Sequence, residues 1–137
     1  MVGASVMSMT GDAEQILFET SVDGRPLSTF FERFADQAIY LAIRCPESIA
    51  GIDTDSVAVY AAEYREGQLH YAFSSQAKFS DWANNNDLAE QACFVSLLAS
   101  DYSETVGSPG YGSVYLVIDI DTGPVLLEPA DLNRLSR

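Results

Sequence analysis

The side chains from which this sequence could build a reactive site are a histidine, two cysteines and several closely spaced aspartates. His70 is the single histidine of the 137-residue chain, so any Ser–His or Cys–His pairing would need it as the base. It stands in QLHYAFS, out of phase with Leu69, Tyr71 and Phe73. That is the position of a half-exposed strand residue. One histidine and no CxxC spacing leave no soft-metal ligand set. Cys45 and Cys93 lie in the apolar runs YLAIRC and ACFVSLL. Their setting suits free buried thiols acting as small hydrophobes, not a disulfide framework or a zinc site. Free thiols make the reducing cytoplasm the expected compartment.

The acids offer three tests. Asp121-Thr122-Gly123 follows an apolar strand, the form in which aspartic proteases place two aspartates that share a proton. Fourteen residues follow Gly123, too few for the rest of a protease lobe, so a β-turn is expected. Asp53 with Asp55, and Asp119 with Asp121, are paired acids. Neither pair has the further oxygens and terminal Glu of a calcium loop. In a strand, Asp119 and Asp121 would share one face, which would make at most a weak hard-cation site at a solvated strand end. The Gly-rich 107–113 (GSPGYGS) has neither GxxxxGK[ST] nor GxGxxG spacing, and no lysine or helix start follows it to meet a phosphate. It reads as a flexible connector. The sequence therefore leads one to expect no catalytic residue, no metal ligand and no cofactor. Tyr102, Gly110 and Tyr111 are the candidate partner contacts, because the 100–113 segment is loop-rich and aromatic. Trp82, at helical spacing from Phe79, reads as core.

These residues need elements to position them. Residues 14–22 (EQILFETSV) read as an edge strand or lead-in, closed by the Asp23-Gly24 turn. Leu27, Phe30, Phe31, Phe34 and Ala38 recur at 3.6-residue spacing, and Thr29 with Glu32 has the capping-box form, predicting a helix over 27–36. The apolar run 38–45 predicts a buried strand, and 46–55 a loop. Strands over 56–65 and 68–74 flank a hairpin turn at Glu66-Gly67. Ser74 or Ser75 caps a helix in QAKFSDWANN. In 90–99 the alternation of Cys93, Val95 and Leu97 favours a strand over a capped helix. Residues 100–106 form helical turns capped by Ser100, and 114–120 a buried strand. A short extended piece precedes a closing helix started by Pro129. The order predicts an α+β domain over 14–137, a single mixed β-sheet of about five to six strands with three to four helices packed on it. Residues 1–13 read as a loose arm, not a signal peptide.

Composition bounds the rest. The chain is 47% hydrophobic, with seven Phe, seven Tyr and one Trp, enough core for one self-supporting domain. Twenty acids face seven Lys and Arg, a net charge of −13. Nucleic acid and anionic membranes are poor partners for such a surface, because both bind clustered cations. No apolar stretch approaches the roughly 18 residues that span a bilayer.

The stretch EGQLHYAFSSQAKFSDWANNN resembles the strand, Phe-Thr-Ser and Trp-bearing helix of the SseB-like family, also known as SseB N-terminal or type III secretion SseB-like domains. Phe73, Ser74 and Ser75 stand where that family has Phe-Thr-Ser, and Phe79 and Trp82 follow. CFVSLLASDYSETV, GSVYLVIDI and GPVLLEPADLNRL are similar to its later strand, short helix, apolar strand and closing helix. FFERFADQAIYLAI resembles its opening helix and first strand. The similarity covers about residues 27–137. Ser74 replaces the usual Thr, and Asp121-Thr122-Gly123 stands in place of an Asn-Pro. The resemblance implies the fold and a non-enzymatic protein-interaction role, with no catalytic residues to carry over. Size and charge also look like the acidic secretion chaperones, which implies a homodimer holding an extended partner segment. A small metal-dependent or hydrolytic enzyme is the remaining alternative.

Overall fold

The computed structural model describes residues 13–45, 59–107 and 111–135. Residues 1–12 of the expected loose arm, the 46–55 loop with Asp53 and Asp55, and Gly110 lie outside the described residues, while Ala13, assigned to the arm, is buried in the first helix.

Residues 13–19 form a helix, α1, where the sequence predicts an edge strand or lead-in over 14–22. Ala13, Ile16, Leu17 and Thr20 are all buried, a 3.6-residue stripe that overrides the β-forming character of Ile16, Phe18 and Thr20. The hydroxyls of Thr20 and Ser21 donate to the Ile16 and Leu17 carbonyls and close its end. A two-stranded hairpin follows, β1 (Ser21–Val22) with β2 (Arg25–Pro26). α2 (Phe30–Phe34) is shorter than the predicted 27–36. Thr29 sits at its cap without a side-chain hydrogen bond, so the capping box does not form. Packing holds it instead: Phe30 and Phe34 are 0% exposed and their rings stack at 4.8 Å. Each such burial contributes about 1.5–3 kcal/mol.

The main sheet has six strands: β3 (Ala38–Arg44), β4 (Ala61–Tyr64), β5 (Gly67–Phe73), β6 (Ala92–Leu98), β7 (Val114–Ile118) and β8 (Val125–Leu127). Their order is β6-β3-β5-β7-β8, and β4 pairs with the N-terminal half of β5. The β5–β7 pair is parallel and the others are antiparallel, so the α+β class with a mixed sheet is what the chain adopts. The turn into β5 lies at Arg65 and Glu66, and β5 begins at Gly67. A Cβ at Gly67 would stand 2.0 Å from the Ser113 carbonyl oxygen, so only glycine lets β5 and the approach to β7 come this close.

α3 (Gln76–Asn85), α4 (Ala99–Val106) and α5 (Pro129–Leu135) complete the fold. Ser75 caps α3 by accepting from the Lys78 N–H. The cap expected at Ser100 is absent: α4 starts at Ala99, and Ser100 lies buried in its first turn. The amides of Ala99 and Ser100 donate to the Gln37 and Ala35 carbonyls, so the chain around α2 satisfies this helix start. One face of the sheet packs on α1, α2, α4 and α5 through Ile39, Leu41, Leu116, Ile118 and Leu127. The other packs on α3, where Phe79, Trp82 and Ala83 meet Ala42, Phe73 and Ala92. Trp82 is core, stacked on Tyr71 at 5.4 Å. Among the described residues no helix is long and apolar enough to cross a membrane.

Candidate functional site

Three places hold the residues of chemical interest. The first is the His70 pocket. His70 is 1% exposed, which corrects the half-exposed position expected from strand phase. Helix α4 lays Tyr102 over this face of β5, so the side chain that strand phase turns away from Leu69 and Tyr71 meets a helix instead of water. The Nδ1 of His70 lies 2.8 Å from the Tyr102 hydroxyl and Nε2 lies 3.1 Å from Gln68 Oε1. The neutral ring with its proton on Nε2 satisfies both contacts: it donates to Gln68 and accepts from Tyr102. Burial lowers the imidazole pKa to about 4, and burial followed by the nearby Tyr111 phenol pushes the Tyr102 phenol far up. A base this weak beside a phenol this reluctant makes a closed structural pair.

Tyr102 is therefore misplaced as a partner contact. It is 1% exposed and its hydroxyl bonds to His70, because α4 turns this face onto the core. Tyr111 is 37% exposed and its carbonyl accepts from Gln68 Nε2. Gly110 lies outside the described residues.

The second place is the end of β7. Asp119 adopts φ 57°, a left-handed conformation that aspartate tolerates. This breaks the strand alternation that would have put it beside Asp121. Asp119 is buried and Asp121 is exposed. The Asp119 carboxylate accepts from the Ser74 N–H at 2.8 Å, the Ser74 hydroxyl at 2.7 Å and Lys78 Nζ at 3.2 Å. Lys78 also lies 3.4 Å from Glu14. Here the serine donates to a carboxylate already held by an ammonium, so the cluster latches β7 to the β5–α3 junction. Sequence reasoning left both Ser74 and Lys78 without this role. Among the described residues no group of three or more His, Cys, Asp and Glu could hold a metal.

Cys45 and Cys93 correct the sequence reading outright. Their Cα atoms are 5.0 Å apart and they form a disulfide. The antiparallel register of β3 and β6, with Ile43 opposite Cys93, brings them together.

The third place is the outer edge of β6. Seven registered pairs join its inner edge to β3, and among the described residues no strand pairs with its outer one. Gln91 O accepts from the Cys45 N–H, and the Ala99 N–H donates to Gln37 O. Antiparallel alternation then turns the N–H groups of Phe94, Ser96 and Leu98 away from β3. The strand ACFVSLL carries no charge, proline or glycine, the devices that usually blunt an edge. Val95 and Leu97 pack partly on the main core, Phe94 meets Tyr40 and Phe79 at 5.4 and 5.3 Å, and Leu98 is 40% exposed. The opposite edge is treated differently. There the β1–β2 hairpin covers β8, and Gly24 O accepts from the Leu126 N–H. Exposed Asp87, Glu90 and Asp101 flank β6, and residues 79–133 contain no Lys or Arg.

No family model, curated protein or solved structure matches this chain.

Proposed function

We propose that this domain docks a partner protein without catalysing a reaction, and that the partner adds an extended segment to the outer edge of β6. The observation that carries the reading is the contrast between the two edges of one sheet: β8 covered by its own hairpin, β6 uncharged, apolar and without a strand partner on its outer side among the described residues. Strand addition draws affinity from main-chain hydrogen bonds and specificity from alternate side-chain pockets. The acids flanking β6, on a chain of net charge −13, favour a segment with Lys or Arg at its ends. The SseB-like resemblance supports the same non-enzymatic role, and the partner contact moves from Tyr102 to β6, with Tyr111 still exposed.

The test is a synthetic peptide of alternating valine and threonine flanked by lysines, followed by fluorescence anisotropy and amide hydrogen exchange. Binding with protection of the Phe94 and Ser96 amides is expected. The same peptide flanked by glutamates binds more weakly. Ser96→Pro removes an outward N–H without touching the β3 ladder and abolishes binding. Equal affinity for both peptides, or an unaffected Ser96→Pro protein, refutes the reading. The dimeric-chaperone alternative pairs β6 with β6 of a second copy, and it predicts twice the monomer mass by light scattering. Like-charged copies make it the less favoured of the two.

The compartment is tied to the cysteines. Cytoplasmic glutathione keeps thiols reduced, so a formed Cys45–Cys93 bond favours an oxidising compartment over the expected cytoplasm. Alkylation of the protein at the moment of cell lysis separates the two: two blocked thiols place it in the cytoplasm, none outside it.

A further inference from the structure

We propose that the cleft between α1, the start of α3 and the β7–β8 turn receives a cationic amphipathic helix of a partner protein, at the edge of the sheet opposite β6. The cleft has a volume of about 330 Å³, within the roughly 300–1,000 Å³ of binding clefts. Leu17, Phe18 and Val125 give it an apolar side, and Ser21 and Thr122 add hydroxyls. Phe18 is the residue that calls for a partner. It is 85% exposed, the most exposed large hydrophobic residue among those described, while its neighbours Ile16 and Leu17 are buried. Val22, next to Ser21, is 55% exposed. Apolar surface rimmed by polar groups marks an interaction site.

The charges decide what fits. Lys78 lies 3.4 Å from Glu14 and 3.2 Å from Asp119, and Arg33 lies 2.9 Å from Glu19. These cations are neutralised in place. Exposed Asp121 precedes Thr122 at the cleft. Exposed Asp23 precedes Gly24, where an added Cβ would stand 3.0 Å from the Pro124 carbonyl oxygen. The rim is therefore anionic and complements Lys or Arg set beside an apolar anchor. The main chain decides the mode. The Leu126 N–H of β8 already donates to Gly24 O, and β1 is two residues long. A partner strand finds little ladder to extend here, so affinity has to come from side chains set into the cleft, as a helix presents them at i and i+4. A second copy of this chain would bring a net charge of −13 to the same anionic rim, which disfavours it.

The probe is a helical peptide of leucines and lysines at 3.6-residue spacing, titrated into the isotope-labelled protein by NMR. Saturable shifts at Phe18, Ser21 and Thr122 are expected, and none there with glutamates in place of the lysines. Phe18→Ser should weaken binding about thirtyfold, the effect of losing an aromatic anchor. It should leave the melting temperature unchanged, since the ring already lies in water. Ser96→Pro should bind the helical peptide like the parent, and Phe18→Ser should still bind the β6 peptide, so the two surfaces stand or fall separately. The proposal is overturned if the helical peptide gives no saturable shift at these residues, if the glutamate peptide binds as well, if Phe18→Ser binds like the parent, or if Ser96→Pro abolishes the binding. A dimer by light scattering that Phe18→Ser converts to a monomer would also overturn it, because the cleft would then belong to a second copy.

Discussion

Replacing both Cys45 and Cys93 with serine tests the largest departure from the sequence reading. The two residues are 48 apart in sequence. Closing a loop of about 48 residues removes roughly 14 cal/mol/K of entropy from the unfolded chain, about 4 kcal/mol at 25 °C. That is a large part of the roughly 5–15 kcal/mol by which a domain is stable. The seven β3–β6 residue pairs do not depend on the bond, so the double variant should keep the fold and lose stability alone. Urea unfolding reads this directly. With a slope of about 2 kcal/mol/M the midpoint should fall by about 2 M. Reducing the parent protein should reproduce most of that fall, and reductant should leave the double variant unchanged. Thiol titration of the unfolded, unreduced parent should find none. Two titratable thiols there, or a midpoint shift under about 0.5 M, would refute the argument.

Stability should also depend on His70. Its folded pKa, about 4, lies below the ordinary 6.5, so between those values the unfolded chain binds the proton and the folded one does not. The contribution is complete above pH 6.5 and is lost as pH falls toward 4, about 3 kcal/mol in all; His70→Gln should flatten the urea-midpoint profile over that window. Tyr102→Phe strands the His70 Nδ1 and should cost about 1–3 kcal/mol in the same assay, with no effect on peptide binding at β6. Asp119→Ala should cost about 3–5 kcal/mol, because it leaves the buried Ser74 hydroxyl and amide without their acceptor and Lys78 with Glu14 alone. Asp119→Asn should cost less, since asparagine keeps one acceptor and tolerates the left-handed backbone; equal losses for the two variants would show that the latch is not what Asp119 supplies.

Where an element's own residues decide its state, the sequence was sufficient. The run 38–45, the 68–74 strand, the Ser75-capped helix and the Pro129 helix each carry a local signal, whether continuous apolarity, a cap or a pre-set φ, and each formed within a residue or two of its expected bounds. Within 90–99 the strand forms over Ala92–Leu98 as the alternation predicts, because Val95 and Leu97 pack onto the main core. At α1 two local patterns coexisted, period two and period 3.6. Only the presence of a core beside Ala13, Ile16 and Leu17 decided between them.

Composition and local pattern alone determined the α+β class, the mixed sheet and the acidic exterior, because burial of apolar residues and hydration of charge act on each segment separately. Tertiary structure decided the rest. His70 is buried because a helix distant in sequence lays Tyr102 against it, and Asp119 is a latch because its backbone turns left-handed beneath Ser74 and Lys78. Cys45 meets Cys93 because two strands settle in antiparallel register, and the hairpin covers β8 while, among the described residues, no strand pairs with the outer side of β6. Each of these is a pairing between residues far apart in the chain, and no local propensity specifies which distant surface a residue will face.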